Sequence, residues 1–268
     1  MGLTLPSFQP NPDVVVGVAR AAEGAGLDGV FAFDHMWRTT ATGERRPALE
    51  LLTTMAMVAA ETTRVTVGSL VARAGLRPAA TLAAGFDTLA RIAPGRIVAG
   101  VGAGDGESDP EDEAFGTVVP DRMAGLERAA GTLRGRGYPV WLGGSSPAMA
   151  GLAAAGADGW NLWSAPAGTL AARVADARRY LVAAGRRADD LTFSWGGLAV
   201  LGETEAAAEA KLTRLGGRPG LVAGGPERLA ASLAGFVAAG VSWVILGPLD
   251  PAEPANAFVL AEARGLLA

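Results

Sequence analysis

Short apolar runs alternate along the whole chain with longer stretches in which apolar residues return every three or four positions. Runs of the first kind read as strands buried on both faces, and stretches of the second kind as amphipathic helices. The strand candidates are Gly2 to Ser7, Val30 to Phe33, Val65 to Val71, Arg96 to Val101, Pro139 to Leu142, Ala157 to Trp163, Leu191 to Val200 and Val241 to Leu246. The helix candidates lie between them. One starts at Asn11-Pro12, with Asn11 as cap and Pro12 in the first turn. Another carries Leu82, Phe86 and Leu89 at i, i+4 and i+7, and a third, from about Pro120, carries Met123, Leu126, Ala130 and Leu133 on one stripe. Eight strands alternating with helices in 268 residues predict an α/β chain folded as one (β/α)8 TIM barrel, a single domain over 1–268. An open doubly wound sheet is the structural alternative.

In such a barrel the residues just after each strand share one mouth. Asp34, His35 and Trp37 follow the second strand, and His35 is the only histidine in the chain. It is the side chain whose ordinary chemistry permits proton transfer near neutral pH. Its structural alternative is a histidine satisfied by hydrogen bonds at the rim. Ser69-Leu70 ends the third strand and Asp105 follows the fourth. Gly143-Gly144-Ser145-Ser146, between a strand and a helix start, offers backbone N–H groups and two hydroxyls to a phosphate. The same four residues read equally well as an ordinary capped helix.

Gly100-Val-Gly-Ala-Gly-Asp has the glycines of a dinucleotide fingerprint, but an acidic loop follows where a helix should begin. Its glycines, Gly102 and Gly104 with Ala103 between them, suit the close approach of a flat ring instead. The run from Asp105 to Glu113 holds six carboxylates. Most are expected to be solvated, with Asp105 alone turned to the mouth. A calcium loop is excluded, because Pro110 and Gly116 stand where glycine and glutamate are required.

Composition narrows the chemistry. No cysteine means no thiolate metal site or cysteine nucleophile, and one histidine excludes His-rich metal centres; no metal is expected. The single lysine, Lys211, falls mid-helix, which argues against Schiff-base chemistry. A net charge of −4 offers no basic surface for nucleic acid. No apolar stretch is long enough for a membrane span and the N-terminus lacks a signal pattern, so a cytoplasmic location is expected.

Several of these segments in order resemble the bacterial luciferase-like superfamily, and within it the coenzyme F420 (deazaflavin)-dependent oxidoreductases. They are Ala21-Ala-Glu-Gly-Ala-Gly-Leu-Asp-Gly-Val with Asp34-His35, Arg77-Pro78-Ala79, Ala90-Arg-Ile-Ala-Pro-Gly-Arg96, Gly100 to Asp105, Val140 to Ser145 and Ala157 to Trp160. The resemblance covers nearly the whole chain and implies a barrel with a flavin or deazaflavin across its mouth. It places His35 near the reactive ring, Asp105 as proton donor and Trp37 on the substrate side. Asp105 stands where similar enzymes carry glutamate, and Trp37 lies closer to the histidine than theirs. Asp34, Gly102, Ala103, Gly104 and Gly143 to Ser146 become cofactor-binding candidates. Ser69-Leu70 corresponds to a non-proline cis peptide behind the ring. The insertions between strands four and five and around strand seven are shorter than is usual in similar proteins, which implies a more open site or a different substrate.

The leading expectation is therefore hydride transfer between coenzyme F420 and a small-molecule substrate, in a homodimer as in similar proteins. The alternatives are an FMN-dependent monooxygenase, a flavin-binding barrel without turnover and, last, an isomerase acting on a phosphorylated ligand.

Overall fold

The computed structural model of the chain describes residues 1–39, 42–117 and 121–267. Strand β1 (Gly2–Thr4) leads to α1 (Pro12–Gly24), and β2 (Gly29–Ala32) to a two-stranded ribbon, β3 (Trp37–Thr39) with β4 (Arg45–Pro47). Next come α2 (Leu51–Glu61), β5 (Thr66–Ser69), β6 (Ala72–Arg73) and α3 (Ala79–Ile92), then β7 (Ile97–Gly102), α4 (Asp109–Ala114) and α5 (Arg122–Leu133). The second half holds β8 (Val140–Gly143), α6 (Pro147–Gly156), β9 (Gly159–Trp163), α7 (Ala167–Ala183), β10 (Thr192–Leu201) and α8 (Glu205–Leu215). It ends with β11 (Val222–Gly224), α9 (Pro226–Ala238), β12 (Trp243–Pro248) and α10 (Ala255–Gly265).

Eight parallel strands close into a barrel in the order β1, β2, β5, β7, β8, β9, β10, β12, and β12 returns to β1 through Gly2↔Ile245 and Leu3↔Leu246. Each of the eight overlaps a strand run that the sequence pattern predicts. The helices cover the barrel with the expected stripes: α3 buries Leu82, Ala83, Phe86 and Leu89, and α5 buries Leu126, Ala129, Ala130 and Leu133. Asn11 caps α1 by accepting the Asp13 N–H at 2.9 Å. Pro120, the expected start of α5, lies outside the described residues; the helix is observed from Arg122, with Asp121 accepting the Ala124 N–H at 2.9 Å.

Inside the barrel, Phe31, Leu70, Val98, Trp141 and Ile245 form a second core, joined by the partly buried Trp163 and Trp243. Phe31 stacks on Trp141 at 5.9 Å and meets Trp243 edge-on at 5.8 Å. These rings fit because their neighbours in the same layer have no side chain. A Cβ on Gly68 would sit 2.5 Å from the Phe31 ring, and one on Gly159 would sit 2.4 Å from Trp141. Large rings against glycines fill the interior and leave the space at the C-terminal ends of the strands.

The predicted third strand is the main departure from expectation. Val65 to Val71 does not run as one strand: it breaks after Ser69, and β6 resumes beside β7. The cis peptide lies between Leu70 and Val71, one bond later than the Ser69-Leu70 position implied by resemblance. The reason is local. Ser69 is held in the sheet by its register with Ala32 and by its hydroxyl, which donates to the Gly100 carbonyl at 2.7 Å. The step out of the sheet therefore comes after it. Ribbon β3–β4, β11 and α4 are also additions, each too short to register as a periodic pattern.

The step needs Gly100 and Gly102. A Cβ on Gly100 would lie 2.1 Å from the Ser69 carbonyl oxygen, and one on Gly102 would lie 2.4 Å from the Val71 side chain. Gly100→Ala should therefore lower the unfolding free energy by about 1–3 kcal/mol, the usual cost of overpacking. Gly125→Ala, on α5 with nothing within 4 Å of the added Cβ, should raise it by roughly 0.5–1 kcal/mol. Urea unfolding of both variants checks the pair; equal effects would contradict the packing account.

Candidate active site

A cavity of about 850 Å³ opens at the C-terminal ends of the barrel strands. Its wall brings together four stretches chosen from sequence: Asp34-His35, Leu70, the Gly102–Asp105 turn and the Gly143–Ser146 turn. Phe33, Val71, Met123, Met149 and Trp163 make much of the rest apolar, as a site for a flat ligand requires. A second cavity of about 580 Å³ lies alongside, lined by Phe8, Arg38, Arg46 and the loop after β12. The Phe8 ring of this second cavity lies 5.9 Å from the His35 ring of the first.

His35 follows β2 and reaches the cavity with a third of its side chain exposed, 34%. Its Nδ1 lies 2.9 Å from Glu111 Oε1. Glu111 Oε2 accepts the Met36 N–H at 2.7 Å and Arg73 Nη2 at 3.0 Å. Arg73 Nη1 reaches Asp112 Oδ1 at 3.2 Å. The acidic run is thus corrected: Glu111 and Asp112 are buried, on helix α4, where the sequence reading expected solvated carboxylates. Burial of a carboxylate requires a paired charge, and Arg73, buried beside them, supplies it. The signal for Arg73 was its place after the third strand, hidden by the break at Leu70-Val71.

Asp34 borders the cavity, and its carboxylate is fully buried. It receives Arg77 Nη1 at 2.7 Å, Arg77 Nη2 at 3.0 Å and the Arg73 N–H at 2.8 Å. These bonds form a clasp that ties β2 to the segment leading into α3. Arg77 also meets Glu50 at 2.5 Å. Burial lowers the Arg77 pKa, but Asp34 and Glu50 outweigh it, and the guanidinium is held above its ordinary value. Burial likewise raises Glu50, but the Thr53 N–H and Arg77 overcome it and the carboxyl sits below its ordinary value.

Asp105 lines the cavity, exposed, with Oδ1 accepting the Ser108 N–H and hydroxyl, each at 3.2 Å, at the start of a 3₁₀ turn (Gly106–Ser108). Gly143, Gly144, Ser145 and Ser146 lead into α6, and Ser146 stands at its N-cap position without a side-chain capping bond. Asn161, in the middle of β9, also borders the cavity and donates to Ser194 Oγ at 2.9 Å. It was missed because it lies inside a strand run.

Two expected site residues lie elsewhere. Ser69 is fully buried in the sheet. Trp37 turns out of the cavity because the chain enters β3 at once, pairing Trp37 with Pro47. Its ring stacks on Phe115 and lies 4.6 Å beneath the Arg45 guanidinium. Gly102 of β7 and Gly143 of β8 border the cavity, and the Val71 side chain, which lines it beside them, packs where a Cβ on either would sit. Lys211 is paired with Asp250 and Glu253 and does not border the cavity. Among the described residues no cluster of side chains suits a metal ion, and no helix is long and apolar enough to cross a membrane.

Arg77→Met leaves the Asp34 charge buried and should cost about 3–5 kcal/mol of stability in urea unfolding at neutral pH. Glu50 gives a pH test. A carboxyl lowered in the folded state adds stability that is full above its unfolded pKa and is lost as pH falls through the folded one. The stability advantage of wild type over Glu50→Gln should therefore be constant above about pH 5.5 and shrink on acidification below about pH 4.5. An advantage that grows on acidification would refute this pairing.

The luciferase-like monooxygenase family model matches residues 2–135 and 127–242. The F420-dependent glucose-6-phosphate dehydrogenase of Nakamurella multipartita is 30% identical over 212 residues, 68% of this chain and 62% of that protein. The protein of that name from Beutenbergia cavernae is 34% identical over 131 residues, 48% and 37% of the respective chains. The chain thus spans less than two thirds of the length of these curated relatives. Among solved structures, an F420-dependent secondary alcohol dehydrogenase in complex with an F420-acetone adduct superposes with a TM-score of 0.84 at 18% identity, over 100% of this chain and 98% of the other. The coenzyme F420-dependent tetrahydromethanopterin reductase of Methanopyrus kandleri follows at 0.79 and 16%, over 100% and 99%. The two structures share the barrel fold with this chain, and the match of the family model along most of its length settles its kinship: the chain belongs to the luciferase-like monooxygenase family.

Proposed function

We propose that the protein is an oxidoreductase that uses coenzyme F420 to move a hydride to or from a small organic substrate. One observation carries the reading: a single cavity joins an imidazole on one side to a serine-bearing helix start on the other, with an apolar wall between them. The names of the relatives point the same way.

The residues fit a deazaflavin. The volume, about 850 Å³, suits a ligand of that size, and Leu70, Val71, Met149 and Trp163 suit a flat ring. The start of α6 suits a phosphate, since its N–H groups point outward from a positive dipole end and the Ser146 hydroxyl is not spent on its own helix. When bound, the deazaflavin ring supplies or accepts the hydride. The chain's own residues do the rest. Leu70 and Val71 support the ring and keep water from it. Ser145 and Ser146 hold the phosphate. His35 exchanges a proton with the substrate oxygen at Nε2, and Asp105, which lines the same cavity, is the second proton group. Glucose 6-phosphate, the substrate in the relatives' names, is the first to try, followed by simple secondary alcohols.

Fluorescence titration tests this reading with F420 and FMN in parallel. F420 should bind selectively, and Ser145→Ala with Ser146→Ala should weaken binding about tenfold, the weight of one hydrogen bond to a charged group. His35→Ala should leave binding intact and lower kcat by about 10²–10⁴-fold. Preference for FMN with oxygen consumption, or no binding of either at micromolar concentration, would overturn the proposal.

A further inference from the structure

We infer that Glu111 is a positioning residue that fixes the tautomer of His35, so that Nδ1 carries the ring proton and Nε2 is the bare, proton-accepting nitrogen. The tautomer follows from geometry alone; its value for catalysis rests on the function proposed above.

Three donors converge on one buried carboxylate. Oε2 takes the Met36 backbone N–H at 2.7 Å and Arg73 Nη2 at 3.0 Å, and Oε1 lies 2.9 Å from His35 Nδ1. An ionised carboxylate only accepts, and a neutral imidazole has one N–H and one lone pair. With the Arg73 guanidinium beside it, Glu111 is an acceptor, so the facing Nδ1 must be the donor. The carboxylate cannot rotate away, because Met36 is the residue next to His35 and Arg73 is held in turn by Asp112 and, through its backbone N–H, by Asp34. The Phe8 ring, 5.9 Å away, packs beside the imidazole. Orientation and tautomer are thereby set before any ligand arrives.

For an alcohol substrate the proton balance is simple. With the oxidised coenzyme bound, it would accept the carbinol hydrogen as hydride while the O–H pair became part of the carbonyl, and Nε2 of His35 would take the proton. The imidazolium formed still donates through Nδ1 to Glu111, whose negative charge stabilises it. In the reverse direction the same nitrogen returns the proton.

Glu111→Gln separates this role from a structural one. Met36 N–H and Arg73 can only donate, so the amide oxygen must take the place of Oε2, and the amide NH₂ must then face Nδ1. The ring is forced to put its proton on Nε2. Because His35 is the only histidine, a long-range ¹H–¹⁵N spectrum of untagged, ¹⁵N-labelled protein shows one imidazole. Recorded at pH values up to the neutral ring, wild type should show the Nδ1–H tautomer and Glu111→Gln the Nε2–H tautomer. With F420 and a substrate, the variant should lose about 10²–10⁴-fold in kcat with KM changed less than threefold, as when a carboxylate–imidazole pair holds the wrong tautomer. An Nε2–H tautomer in wild type overturns the proposal even if the variant fails to fold, as does an unchanged tautomer in a folded variant. Failure of F420 to bind would sink the coenzyme assignment while the spectrum still decided the tautomer.

Discussion

A carboxylate with no exposed surface has to be neutralised by protein, and Asp34 imposes that requirement at the end of β2. Arg77 answers it with two hydrogen bonds and Arg73 with its backbone N–H, so the segment after the broken third strand is drawn across the barrel mouth. The Arg73 side chain then lies buried with its own charge to satisfy. Glu111 and Asp112 meet it, and this pulls helix α4 down onto the mouth. Glu111, once there, reaches His35. The site is therefore the end of a chain of charge compensation, and each member has its geometry because the previous one is buried.

The barrel interior divides the labour along its length. Bulky rings packed against glycines fill the space near Phe31, Trp141 and Trp243, and the cavity occupies the C-terminal ends. Val71 belongs to both regions. Its side chain occupies the room left at Gly102 and Gly143, and it also presents a surface to the cavity. The glycine-rich β7 serves the site in a second way as well: without side chains there, the bulge after Ser69 can seat against the sheet and offer an apolar support.

How far this was readable from the residues differs between parts. The strands of the barrel could be placed because each is a compact apolar run between turn residues, and the helices because their apolar positions keep a 3.6-residue period. His35 and the Gly143–Ser146 turn could be placed because position after a strand is enough to bring a residue to the mouth. Trp37 and Ser69 follow the same rule and yet miss the cavity. A ribbon forms directly after His35, and the sheet holds Ser69 by its hydroxyl; neither shows in hydrophobic patterning.

The acidic run makes the boundary plainest. From sequence it is six carboxylates in a loop, and the default for such a run is solvation. Only the folded chain brings Arg73, 38 positions earlier, against Glu111, and Glu111 against His35, 76 positions away. By itself the sequence determined the barrel, the order of its strands and which loops meet at the mouth, since those depend on local periodicity and turn chemistry. The tertiary structure decided which charges are buried, which tautomer of His35 is held and which glycines make room for Val71. Those depend on partners distant in the chain, and burial makes each partner obligatory.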